Sequence, residues 1–256
     1  MEIRLIFLIV SLIFGTLIGE DYTRNPHVDE NTWNLLKPYF LPAEESVKKK
    51  LDAIFSRSKR PTESLKTLVE AGFKLTSVQG IRVKVLKHPG IPGYVFKILT
   101  DDQDSRPDVS SWLSRVKGAE VIRQAIKELG VQHFFFVPEK WIYPLPAEPS
   151  PSIFKEGGRK NFILIAKNVH PCSRERNVTR WMELSNTKVL DALYAILMKT
   201  GAADSIKENN IPWCKNNKIA FVDTEHYHDF ANIRFARLEK VLNPKMKLYW
   251  QSLRSK

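Results

Sequence analysis

At 256 residues, with 43% hydrophobic and 27% charged side chains, the chain is long enough for one sizeable core or two small lobes and too apolar for a disordered tail. Its 40 Lys and Arg against 28 Asp and Glu leave a formal charge of +12, which favours an anionic partner. The excess lies in short clusters such as Lys48-Lys49-Lys50 and Arg57-Ser58-Lys59-Arg60 rather than in the long basic tract of a nucleic-acid-binding segment, and 2 cysteines are too few for a disulfide framework.

Residues 1–19 read as a signal peptide or an uncleaved signal anchor. Arg4 precedes an apolar run from Leu5 to Ile18, and the chain turns polar at Glu20-Asp21. The run suits a signal h-region and is short of the roughly 20 residues that a spanning helix needs. The body is therefore expected to be exported, either secreted or held by a membrane anchor at its N-terminus.

Residues 20–79 are expected to form a helical preface. Leu35, Leu36, Tyr39 and Phe40 cluster, and Val47, Leu51, Ile54 and Phe55 recur at three- and four-residue spacing. Pro61-Thr62-Glu63 offers a helix start, continued by Leu65, Leu68 and Val69 as far as Gly72. From Gly80 the period becomes two: Ile81, Val83 and Val85 alternate with Arg82 and Lys84. His88 to Gly93 predicts a turn, and Tyr94 to Leu99 a second strand that carries Lys97 between Phe96 and Ile98. Trp112 to Leu129 is amphipathic, with Val116, Ala119, Ile122, Ile126 and Leu129 on one face and Gly130 as its stop. Phe134 to Val137 and Trp141 to Tyr143 predict another hairpin, and Phe162 to Ala166 a buried strand.

Cys172 and Cys214 have no metal-ligand spacing but could pair as a disulfide, and Asn177-Val178-Thr179 is a glycosylation sequon in a eukaryotic secretory setting. Thr187 to Met198 predicts a helix with Val189, Leu190, Leu193, Ile196 and Leu197 as its buried stripe. After Gly201 come Asp204, Asn209 five positions later, a short apolar strand Lys218 to Val222, and Asp223-Thr224-Glu225. Charge-mixed helix or irregular structure fills 226–256.

That last constellation resembles the catalytic centre of the protein-kinase-like superfamily, in which one Asp takes the acceptor's proton while an Asn and a later Asp bind Mg²⁺. Asp204-Ser205-Ile206-Lys207-Glu208-Asn209 is similar to the Asp-Leu-Lys-Pro-Glu-Asn loop of those enzymes, and Val95-Phe96-Lys97-Ile98 to their Val-Ala-Ile-Lys strand. The resemblance covers about 80–225. It implies an α+β, protein-kinase-like two-lobe fold with a helical N-terminal preface and a shortened C-terminal lobe. The small lobe would span 80–166 and the large one 167–256, joined near Ala166 to Pro171. It further implies an ATP- and Mg²⁺-dependent phosphotransferase acting on a protein or small-molecule acceptor. Asp204 would be the base, Asn209 and Asp223 the metal ligands, and Lys97 with Glu120 the phosphate clamp, Glu128 being the alternative carboxylate. The departures point to an exported pseudokinase as the alternative, a non-catalytic nucleotide- or protein-binding module. Ala202-Ala203 stands where protein kinases carry His-Arg, Thr224-Glu225 where they carry Phe-Gly, and Ser77-Val78-Gln79-Gly80 is a glycine-poor phosphate loop. Only 31 residues follow Glu225, and a third reading makes the chain a basic exported binding protein in which these residues are structural.

Overall fold

The computed structural model describes residues 22–76, 82–103, 108–152 and 158–255. The signal segment, the expected loop Ser77 to Gly80 with Ile81 after it, and residues 104–107 and 153–157 lie outside the described residues. In chain order the helices are α1 (Glu30–Leu36), α2 (Ser46–Phe55), α3 (Leu65–Glu70), α4 (Asp108–Glu128), α5 (Arg174–Met182), α6 (Thr187–Thr200), α7 (Ala236–Glu239) and α8 (Pro244–Leu253). The strands are β1 (Lys74–Leu75), β2 (Lys84–His88), β3 (Ile91–Ile98), β4 (Phe135–Phe136), β5 (Lys140–Pro144), β6 (Phe162–Lys167) and β7 (Ile219–Ala220). The protein is a mixed α+β chain that divides into two compact units, residues 1–110 with 141–165 and residues 111–140 with 166–256.

The first unit is built on a five-stranded sheet of order β1-β2-β3-β6-β5. Both β1 and β3 run antiparallel to β2, with Val85 opposite Lys97 and Leu86 opposite Phe96. Alternation along β3 sends Phe96 and Ile98 into the core and leaves Lys97 half-buried on the other face. The core-facing side meets α2 through Val47, Leu51, Ile54 and Phe55, the three- and four-residue repeat visible in the sequence. Two helices of the preface, α1 and α3, start at local caps: Asp29 accepts from the Thr32 N–H, and Ser64 and Thr67 form a reciprocal capping box. The turn after β2 is shorter than the sequence implies. Ile91, Pro92 and Gly93 already belong to β3, because the register shifts between Leu86 and His88 and Gly93 takes a φ of +86° there.

A polar pin lies inside this unit. Arg60, 4% exposed, meets Asp101, 0% exposed, at 2.7 Å, and Asp101 also accepts from the Thr62 hydroxyl at 3.0 Å and the Lys160 N–H at 2.7 Å. Asp108, at the start of α4, accepts the N–H groups of Asn161 and Phe162 at 2.6 and 2.7 Å and so fixes where β6 begins.

The second unit packs α4 from residue 111 onward with α5, α6 and α8 around one apolar cluster. Val116, Ala119, Ile122 and Ile126 are buried as the periodicity predicts, Leu129 stays 37% exposed, and Gly130 closes the helix at a φ of +67°. The expected hairpin of 134–143 does not form. Instead β4 pairs in parallel with β7, Phe135 opposite Ile219 and Phe136 opposite Ala220, so this pair forms between distant segments of the chain. Helix α5 has no counterpart in the sequence reading, since its arginines and glutamate mask a stripe of only two buried residues, Asn177 and Trp181. Among the described residues, no helix is long and apolar enough to cross a membrane.

Candidate functional site

The segment from Gly201 to Glu225 is assembled by backbone contacts first. Helix α6 stops at Gly201, whose φ of +61° is left-handed and whose N–H bonds the Leu197 carbonyl at 2.8 Å. A Cβ there would come within 2.7 Å of the Asp229 nitrogen, because the chain crosses back with His228 N–H on the Thr200 carbonyl. The following loop doubles onto the β7 segment: Val222 donates to the Asn210 carbonyl, Ala220 to the Pro212 carbonyl, and the Ser205 hydroxyl to the Asp223 carbonyl at 2.8 Å. The Asn210 side chain spans the loop to the Asp204 carbonyl at 2.8 Å. Asp204, half-buried Asn209 and Asp223 are thus carried by a single cross-braced loop and strand.

Asn177 sets the width of that loop from α5. Its amide nitrogen donates to the Glu208 carbonyl at 3.0 Å, and its oxygen accepts from the Trp213 N–H at 2.8 Å. At 2% exposure and with both amide ends engaged, it is a structural bracket and not an accessible glycosylation acceptor.

The carboxylates meet arginines. Arg237 bonds Asp204 Oδ1 at 2.7 Å, with Arg234 at 3.8 Å, and the Asp204 side chain keeps 41% of its surface open. Arg115 of α4, only 5% exposed, lies with its Nε 3.3 Å from Asp223 Oδ1 and its Nη2 2.6 Å from Glu225 Oε2. Ser111 closes the ring: its hydroxyl donates to Glu225 at 2.8 Å and accepts from Arg115 Nη1 at 2.6 Å. The intervening Thr224 is fully buried, donating to the Arg115 carbonyl at 2.6 Å and accepting from Lys140 Nζ at 2.6 Å. Gly118 admits this approach, because a Cβ there would stand 1.9 Å from the Thr224 carbonyl oxygen.

Glu120 is exposed on α4 and lines a groove of about 370 Å³ with Gln124, Glu128, Lys199 and Thr200. Its alternative, Glu128, is ion-paired with Lys199 at 2.9 Å, and Gln124 with Lys199 holds it below the usual carboxylate range. Lys97 belongs to the first unit, on β3 opposite Val85. Cys172 and Cys214 are free thiols on adjacent segments, Pro171 being bridged to Cys214. Burial pushes the Cys214 thiol up to about 12, which makes it a poor nucleophile.

The residues as folded suit a divalent cation poorly. Mg²⁺ binds carboxylate oxygen at about 2.1 Å, so an ion on Asp223 Oδ1 would lie within reach of a guanidinium that is itself 3.3 Å from that oxygen. A divalent and a single positive charge about 5 Å apart repel by on the order of 6 kcal/mol at an effective dielectric of about 20. Among the described residues, no group of three or more His, Cys, Asp or Glu side chains could hold a metal ion.

Sequence reasoning missed Arg115, Ser111, Gly118, Lys140 and Arg237, and read Asn177 only as part of a sequon. An arginine at the buried a-type position before Val116 and Ala119 is the one signal that was available, since Arg is rarely buried without a partner. No protein-family model matches the chain, and no curated protein is similar to it.

Proposed function

We propose that the protein is a kinase-like nucleotide-binding module without phosphotransfer, an exported pseudokinase. The observation that carries this reading is the loop and strand that bear Asp204, Asn209 and Asp223 in kinase order, with the Asp204 carboxylate held by Arg237 at 2.7 Å. A general base must accept a proton from the acceptor hydroxyl, and a carboxylate already accepting a charge-assisted bond from arginine is a weak one. The sheet supports the kinase-like part: Lys97 stands on the third strand of a five-stranded sheet, and a 21-residue helix follows that strand. On this reading Lys97 contacts nucleotide phosphate and the +12 charge attracts it.

The second reading, an ATP- and Mg²⁺-dependent phosphotransferase, is favoured by the 41% exposure of Asp204, since an exposed ion pair is easily opened. Thermal stabilisation of the full chain by ATP, measured beside phosphate release, separates them. The expected result is a raised Tm with no phosphate released above the buffer rate, and a Tm shift reduced by Lys97→Ala. A Tm that no nucleotide moves would remove both readings and leave a basic binding protein whose Asp and Asn residues are structural.

A further inference from the structure

We propose that the outward face of α8 is a docking surface for an anionic phospholipid membrane, with Lys245 and Lys247 meeting the headgroups and Leu248 entering the layer beneath them. The inference is independent of the nucleotide reading. The second unit carries 21 Lys and Arg against 12 Asp and Glu, which is nine of the chain's twelve net positive charges. The imbalance is steep in its last segment: Arg234 to Ser255 holds six Lys and Arg and one acidic residue, Glu239. The arginines of that segment are already engaged. Arg234 and Arg237 face Asp204, and Arg254 meets Glu239 at 2.9 Å. The lysines are not: Lys240, Lys245 and Lys247 are exposed, and their ammonium groups have no ion pair or hydrogen bond among the described residues. The carboxylates packed near α8 are taken as well, Asp191 by the Tyr249 hydroxyl at 2.6 Å and Glu239 by Arg254 and the Gln251 amide.

The core holds α8 so that this face is fixed. Asn243 caps the helix, accepting the Met246 N–H at 3.0 Å while its amide nitrogen donates to the Met182 and Leu184 carbonyls. Met246, Trp250 and Leu253 form the buried stripe, and the Trp250 indole donates to the Phe235 carbonyl at 3.2 Å. The helical period then puts Leu248 opposite that stripe, with Lys245 on one side of it and Lys247 on the other. Leu248 is 69% exposed, more than any other large apolar side chain among the described residues. A leucine flanked by unpaired lysines suits the boundary between headgroups and acyl chains. Lysine selects the partner too. Its ammonium is a hydrated point charge on a flexible stem and responds to the diffuse negative potential of a lipid surface, whereas paired recognition of phosphodiesters favours arginine's planar fork. The aromatic side chains of α8 are engaged with Asp191 and the core, so nucleic-acid bases find no stacking platform beside the lysines.

The test uses the full chain and vesicles of phosphatidylcholine with or without phosphatidylserine. Each lysine near an anionic surface contributes about fivefold, so wild-type binding is expected to be about tenfold or more tighter on the anionic vesicles and to lose that margin in high salt. Lys245→Glu with Lys247→Glu is expected to abolish the preference while binding to neutral vesicles stays the same. Leu248→Ala is expected to weaken anionic binding by about threefold to tenfold at unchanged charge. All three positions are exposed, and circular dichroism is expected to show an unchanged fold. A bimane probe on Leu248→Cys, in a Cys172→Ser background, reads the face itself. Nitroxide lipids are expected to quench it in anionic vesicles, whichever other segment touches the bilayer. Equal wild-type binding to both vesicles overturns the proposal, as does a preference that survives the double lysine substitution or an unquenched probe on bound protein. Tighter binding to single-stranded or duplex nucleic acid, abolished by the same lysine substitutions, overturns it too and reassigns the face.

Discussion

Arg60 in the first unit and Arg115 in the second are both buried arginines facing carboxylates, and they treat those carboxylates in opposite ways. Asp101 is closed off completely: two guanidinium nitrogens, a threonine hydroxyl and a backbone N–H saturate it at 0% exposure. Asp223 and Glu225 keep more than a quarter of their side-chain surface open, and the arginine that holds them retains an unbonded Nε. A saturated pair can only hold segments of chain together, here the start of β6 and the end of β3. An open pair keeps part of two carboxylate side chains facing solvent.

The sharpest way to break this comparison is Arg60→Ala. It strands Asp101 without its cation in a closed interior, and removing one partner of a buried pair costs about 3–5 kcal/mol. Urea unfolding is the measurement. A loss under about 1 kcal/mol would mean that Asp101 is far better hydrated than its burial indicates, and the contrast with Asp223 would dissolve.

Acid-base behaviour sharpens the closed side of the comparison. Burial pushes Asp108 up to about 6, against the opposing pull of the Asn161, Phe162 and Val109 N–H groups and the Lys160 charge. The unfolded carboxyl titrates near 3.8, so between there and about 6 the folded state holds the proton and the unfolded state does not. The stability contributed by this group is therefore complete below 3.8 and is lost as pH rises through about 6, by on the order of 3 kcal/mol at 1.36 kcal/mol per unit. Stability measured at pH 4 and pH 7 for the wild type and for Asp108→Asn should differ by that trend, with the variant gaining on the wild type as pH rises. A constant difference across the range would show that the three N–H donors outweigh burial.

Much of the helical framework of both units was legible in the sequence, and much of what surrounds the open pair was not. Val47, Leu51, Ile54 and Phe55 announced α2, Val116 to Ile126 announced α4, and Thr187 to Met198 announced α6, because apolar spacing is a local property that survives into the core. The parallel pairing of Phe135-Phe136 with Ile219-Ala220 was invisible, since its partner lies more than eighty residues away and an aromatic pair next to Trp141 and Tyr143 fits a hairpin equally well. Helix α5 was hidden by its charges. In the candidate site, the order of Asp204, Asn209 and Asp223 was readable, and the loop–strand pairing that carries all three is a feature of the structure. Which cation meets each carboxylate was not readable. Arg115 lies 108 residues before Asp223 and Arg237 lies 33 after Asp204, and no spacing rule links charges that far apart in the chain.

The smallest expected effect lies at Asp204, and it tests whether an open ion pair does more than decorate the surface. Asp204 and Arg237 are 41% and 29% exposed, so solvent screens their 2.7 Å contact, and Asp204→Asn should change stability by no more than about 0.2–1 kcal/mol. On the nucleotide-binding reading, nucleotide-dependent stabilisation should persist in that variant, because that reading gives the phosphate contact to Lys97 and not to Asp204. The informative partner is Arg237→Ala. It releases Asp204 from its strongest cation and leaves Arg234 at 3.8 Å as the remaining one. On the non-catalytic reading, phosphate release stays at the buffer rate in Arg237→Ala as in the wild type. Phosphate release that appears in Arg237→Ala and vanishes in the double variant with Asp204→Asn would make Arg237 a brake on a competent base, and would move the protein from pseudokinase to phosphotransferase.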